Sequence, residues 1–154
     1  MDIIKLELKS KMIEVIINGK NLAKYVDEDV KKKDSGSKGE GCGQLPYEWF
    51  CKESQEFLIH PKIKDSLWEG KTLILGCASC GEPGCDPLTM DIEIFPDEII
   101  WSNFGRDSSN RTYDIKFEFD KIQYREEFHR LYRSLRKHVF FKEWARGRLS
   151  FFKE

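Results

Sequence analysis

Three thiols fall within nine residues, at Cys77, Cys80 and Cys85, in the stretch Cys77-Ala78-Ser79-Cys80-Gly81-Glu82-Pro83-Gly84-Cys85-Asp86-Pro87. A Cys-x-x-Cys turn followed by glycine is half of a zinc knuckle. The tight turn sets two thiolates on one side and leaves backbone N–H groups to hydrogen-bond them. Structural zinc takes four ligands. Cys85 would be the third, and the fourth must come from a distance: Cys42 is the best placed, then Cys51 or His60. With one position left to water, the same thiolates would make a hydrolytic centre. Thioredoxin-like redox chemistry instead needs the cysteine pair at a helix N-terminus, which lowers the thiol pKa. Gly81, Pro83 and Gly84 forbid that helix. The preferred reading is structural: small thiols fill space in a turn between two buried strands, with no metal or other cofactor expected.

Other reactive side chains are less concentrated. Asp91 with Glu93, and Asp97 with Glu98, are spaced as paired carboxylates, but the first two share the polar face of a strand and the others a turn. Both settings suit solvated charge. His60, His129 and His138 are scattered. Arg125, Arg130, Arg133, Arg136 and Lys137 offer a cationic ridge for a phosphate backbone, yet they occupy several helix faces and Glu126 and Glu127 interrupt them. Nucleic-acid binding by this helix is therefore the second alternative, after zinc binding.

The elements that must position these residues can be read from apolar spacing. A chain of 154 residues with 40% hydrophobic and 13% aromatic content is the size of one domain with its own core. Ile3 to Leu8 and Met12 to Asn18 read as a hairpin about the polar Lys9-Ser10-Lys11 turn, and Asn18-Gly19 as a second turn. Asn21 caps a short helix carrying Leu22, Tyr25 and Val26, which should end near Asp27-Glu28-Asp29. Residues 31–46, rich in glycine and lysine, are expected to form a mobile surface loop. The aromatic stretch Tyr47 to Ile59 has no clean period. Thr72-Leu73-Ile74-Leu75 has the continuous apolar character of a strand buried on both faces, central in its sheet. Leu88 to Phe95 alternates, Glu98 to Trp101 begins a return strand, and Thr112 to Phe119 alternates again with Asp114 and Glu118 outward. Asn110-Arg111-Thr112 matches a glycosylation acceptor but reads as a turn.

Asp120 with Gln123 opens a helix over about residues 120–137, striped by Tyr124, Phe128, Leu131 and Leu135. A short second helix and an extended end are expected after His138, divided at Gly147. The predicted class is α+β: a mainly antiparallel sheet of five or six strands, with the 120–137 helix on one face, all in a single domain over 1–154.

Charge is unevenly spread. Residues 1–120 hold sixteen basic and twenty-three acidic residues, a net −7, whereas residues 121–154 hold ten basic and four acidic, a net +6. No apolar run reaches the roughly 20 residues that cross a bilayer. The opening Met1-Asp2-Ile3-Ile4-Lys5 lacks a secretory apolar stretch, and five cysteines, an odd number, suit free thiols. A cytoplasmic protein with no membrane partner is expected.

The run from Gly76-Cys77 through Cys80-Gly81-Glu82-Pro83-Gly84-Cys85 and Pro87-Leu88, then Trp101-Ser102-Asn103-Phe104 and Phe119-Asp120 with Gln123-Tyr124, resembles a group of small uncharacterised bacterial proteins. In that group a glycine and cysteine turn precedes a tryptophan-bearing strand and a closing helix. Asn18-Gly19-Lys20-Asn21-Leu22 fits the same group. The chain departs from it after Phe104, where Gly105-Arg106-Asp107 replaces a Gln-Pro-His-Arg-like cluster. The group brings no established activity. Small bacterial proteins of this kind are often neutralising partners of toxins, so the resemblance implies a non-catalytic, immunity-type protein. The acidic body then supplies the contact carboxylates, Asp91, Glu93, Asp114 and Glu118, and the partner is a basic toxin domain.

Overall fold

The computed structural model describes residues 1–36, 43–46, 71–77, 86–106 and 110–145, with side chains described as far as Lys137. The α+β class holds. The antiparallel strands expected in a single sheet are dealt into two, one of four strands and one of five. The four-stranded sheet begins with β1 (Ile4–Lys9) and β2 (Met12–Ile17), paired so that Ile4 faces Ile17, Leu6 faces Val15 and Leu8 faces Ile13. All but Leu8 of these are fully buried. On the opposite face Glu7 lies across from Glu14, a like-charge pair that Lys9 relieves by bridging to both, at 3.5 and 2.8 Å. Lys5 on Glu7, and Lys9 on Glu14, hold both carboxyls below their ordinary range by hydrogen bonding to the charged form.

The β1–β2 turn has Ser10 and Lys11 both at positive φ, 49° and 67°, as a two-residue hairpin turn of the type matched to strand twist requires. Lysine bears a Cβ that this conformation crowds. Lys11→Gly is expected to raise stability by about 1 kcal/mol, read from the urea midpoint at unchanged slope. Asn18 and Gly19, also at positive φ, turn the chain into β3 (Lys20–Asn21), and β4 (Leu45–Pro46) adds to the other end of β2.

Asn21 caps α1 (Leu22–Lys33), accepting from the Ala23 amide at 2.9 Å. This helix does not stop at Asp27–Asp29. Asp29 is buried and takes the Asp114 amide and the Lys33 ammonium, while Lys31, Lys32 and Lys33 suit the negative helix end. The loop expected over residues 31–46 is thus helix at its start and strand at its end, with Leu45 buried. Residues 37–42 and the aromatic stretch after Pro46 lie outside the described residues.

The five-stranded sheet contains β5 (Thr72–Leu75), β6 (Leu88–Ile94), β7 (Glu98–Arg106), β8 (Arg111–Tyr113) and β9 (Phe117–Asp120). All four residues of β5 are buried, as expected, but among the described residues it pairs only with β6 and so is not central. That position belongs to β7, which pairs with β6 on one side and with β8 and β9 on the other. The strand expected from Thr112 to Phe119 is interrupted. Three residues, Asp114 to Lys116, stand opposite two of β7, a bulge that gives β8 and β9. Asn110 supplies the turn before β8, at φ 54°.

Asp120 accepts from the Gln123 amide at 3.0 Å and opens α2 (Lys121–Ala145). The helix is longer than expected and no break follows His138. It runs to Ala145, so the predicted second helix is its continuation, and residues 146–154 lie outside the described residues. Tyr124, Phe128, Leu131 and Leu135 are buried, as their spacing demands. Trp101 meets Phe119 and Tyr124 edge to face at 5.0 and 5.9 Å, and its indole N–H donates to the Tyr124 hydroxyl at 3.2 Å.

Burial pushes the Tyr124 phenol well above its ordinary 10.0. Because the folded value exceeds the unfolded one, the folded state keeps a proton that the unfolded chain loses. Stability should therefore fall as pH rises above about 10. The urea midpoint followed against pH checks this: Tyr124→Phe should be less stable at neutral pH, having orphaned the indole N–H, and should show a flatter alkaline decline.

Candidate functional site

Alternation along three paired strands puts a set of carboxylates on the outer face of the five-stranded sheet. Glu93 lies across from Ile100, and Ile100 across from Glu118, so one row reads glutamate, isoleucine, glutamate. The next row on one side pairs Asp91 with Ser102, and on the other Glu98 with Asp120. The partners of these residues on the inner side, Ile99, Trp101 and Phe119, are fully buried. This face is formed because β6, β7 and β9 each alternate against one core, so every second residue must point away from it.

The four predicted contact carboxylates do not all meet. Glu93 and Glu118 flank Ile100, and Asp91 stands two residues along β6. Asp91 is already engaged, accepting from the Asn103 side-chain amide at 2.7 Å with Lys71 at 3.9 Å. Glu118 pairs with Lys116 at 3.2 Å, while no cation pairs with Glu93 or Glu98 among the described residues. Asp114 belongs elsewhere. Its carboxylate lies 3.9 Å from Lys33 and its amide binds Asp29, so it sits where the C-terminal turn of α1 meets β8. In its place the register supplies Glu98 and Asp120. In the sequence the first falls at a turn and the start of the return strand, with no face assigned to it, and the second reads only as a helix cap.

One bulge sets the phase of this face. Between Thr89–Gly105 and Asp91–Ser102 the pairing gains a residue on β7, and Asn103 takes it up at φ 52°. Trp101 and Phe104 both turn inward as a result, although three positions separate them. Gly105 follows because a Cβ there would meet the Arg111 carbonyl oxygen at 2.7 Å.

The same shift buries Arg106, 1% exposed, at the inner end of β7. Its Nη1 donates to the Gly76 carbonyl at 3.2 Å and to that of Asp86, so one guanidinium holds the backbone on both sides of residues 77–85. Gly43 joins the arrangement, its carbonyl accepting from the Gly76 amide at 2.7 Å and its amide donating to the Cys77 carbonyl at 3.3 Å. The Cys77 side chain is buried. Cys80, Cys85 and Cys42, the other members of the predicted metal set, and the reserves Cys51 and His60, lie outside the described residues. Among the described residues no group of three potential ligands converges.

The cationic ridge is thinned by packing. Arg130 binds Glu127 at 2.5 Å and the Leu6 carbonyl, so it serves the fold. No described helix is long and apolar enough to cross a membrane. The comparisons with known proteins found no matching family model, no matching curated protein and no matching solved structure.

Proposed function

We propose that the protein is a non-catalytic binding protein that captures a basic protein partner, of the immunity type, on the outer face of the five-stranded sheet. The supporting observation is the row Glu93, Ile100, Glu118, with Glu98 and Asp120 beside it: a strand-borne set of carboxylates on a rigid scaffold. Complementary charge on such a face mainly speeds association and rejects partners of like charge. A toxin domain with a cationic surface is the partner this reading names.

Charge reversal tests it. Glu93→Lys with Glu118→Lys is expected to weaken binding by about tenfold to a hundredfold at low salt, chiefly through the association rate. The difference should shrink as salt shortens the screening length. Bait should be the purified protein in an extract of its native host, and the captured partner should then be titrated against both forms. Recovery of no protein at low salt, or equal affinity for both forms, would sink the proposal.

A further inference from the structure

The carboxylates on the outer face surround an apolar diagonal. Phe95 extends β6 by one step beyond Ile94, its amide donating to the Glu98 carbonyl at 2.9 Å, and it shares the outward phase of Asp91 and Glu93. It is 40% exposed. Glu98 is its neighbour across the pair, which makes Ile100, two residues on, its diagonal neighbour. That separation is about 7–8 Å, within reach of an aromatic ring. Lys121, the first residue of α2, closes this corner, its amide donating to the Asp97 carbonyl and its ammonium to that of Phe95.

We propose that this diagonal seats an apolar side chain of the partner, which is then a protein segment mixing lysine or arginine with leucine-like residues. The inference rests on the proposed function and specifies it. A purely polycationic chain would leave Phe95 and Ile100 in contact with water beneath it, and nucleic acid would be repelled by the surrounding acids. A second copy docked face to face would set Glu93, Glu98 and Glu118 against their own counterparts. Cations for the carboxylates and one apolar side chain for the diagonal satisfy both chemistries at once.

Two synthetic peptides of equal lysine count are the probes, one alternating lysine with leucine and the other lysine with glycine. Calorimetry with the full chain should give the leucine peptide at least about tenfold tighter binding, as burying one leucine predicts. Phe95→Ser should remove that advantage and leave the glycine peptide's affinity unchanged. Phe95→Ser should still unfold in one cooperative transition, which separates the lost advantage from a lost fold. Equal affinity for the two peptides overturns the inference and spares the charge-based reading. Binding of neither peptide defeats both. Sedimentation showing a dimer that Phe95→Ser dissociates would make a second copy the occupant and overturn the inference as well.

Discussion

Arg106→Ala should cost about 3–4 kcal/mol, the largest effect expected of a single substitution at a polar residue in this protein. Two backbone carbonyls would lose their donor, that of Gly76 in a buried setting and that of Asp86 in a half-buried one, and the space of a long side chain would be left empty. Arg106→Met should recover part of the loss by filling that space. Arg106→Lys should recover less than charge alone suggests, because a shorter stem must carry the ammonium to the place of Nη1. The loss is read from urea unfolding. A second readout shows where the damage lies. Cys77 is 4% exposed in the intact fold, and releasing either end of the cysteine turn should expose its thiol. Alkylation of Cys77 by a small reagent should quicken in Arg106→Ala, with Cys77→Ser giving the contribution of the other cysteines. If stability falls while Cys77 stays protected, the guanidinium does not hold the turn in place.

Legibility followed the length of each regular pattern. The stripe from Tyr124 to Leu135 and the alternation of Leu88 to Ile94 rest on side chains facing one core, and both faces of those elements were readable. Phase was readable only between bulges. Asn103 adds one residue to β7, and beyond it Phe104 and Arg106 point where simple alternation would put Asn103 and Gly105. An arginine at the end of a strand gives no local sign that it will be buried. Asp29 misled for a related reason: an acid near a helix end suggests solvent, whereas its partners, the Asp114 amide and Lys33, come from the bulge after β8, 85 positions away, and from the next turn. The division into two sheets was hidden too. Ile4–Lys9 alternates and Thr72–Leu75 is a continuous apolar run, and nothing in either pattern says which partner strand it will choose. Among the carboxylates proposed for contact, alternation sufficed to put Glu93 and Glu118 on one face, and Asp114 was misplaced because the bulge between β8 and β9 is invisible without the register.

Glu127→Ala should cost about 2–3 kcal/mol and should first loosen one strand edge rather than the whole core. Among the described residues β1 pairs only with β2, and its other edge presents backbone donors and acceptors that must be satisfied or left as a template for another chain. Here α2 supplies the partners from one face. Gln123 takes both backbone groups of Ile4, Glu127 accepts the Leu6 amide at 2.7 Å, and Arg130 reaches the Leu6 carbonyl while pairing with Glu127. Glu127 is 9% exposed, so alanine would orphan a buried amide and remove the partner of Arg130. The Arg130 side chain is 49% exposed, and water would take up part of that second loss, which is why the figure stays below that of a fully buried pair. Glu127→Gln keeps an acceptor for the amide and should cost about 1 kcal/mol. Hydrogen exchange separates this account from a general loss of stability: the Leu6 and Ile4 amides should lose protection in Glu127→Ala under conditions where the β6–β7 ladder keeps its own. The variant should also scatter more light on standing, since the uncovered edge can pair with a neighbour. An unchanged Leu6 amide in Glu127→Ala would mean that some other group satisfies the edge, and the account of how helix and sheet are joined would have to be replaced.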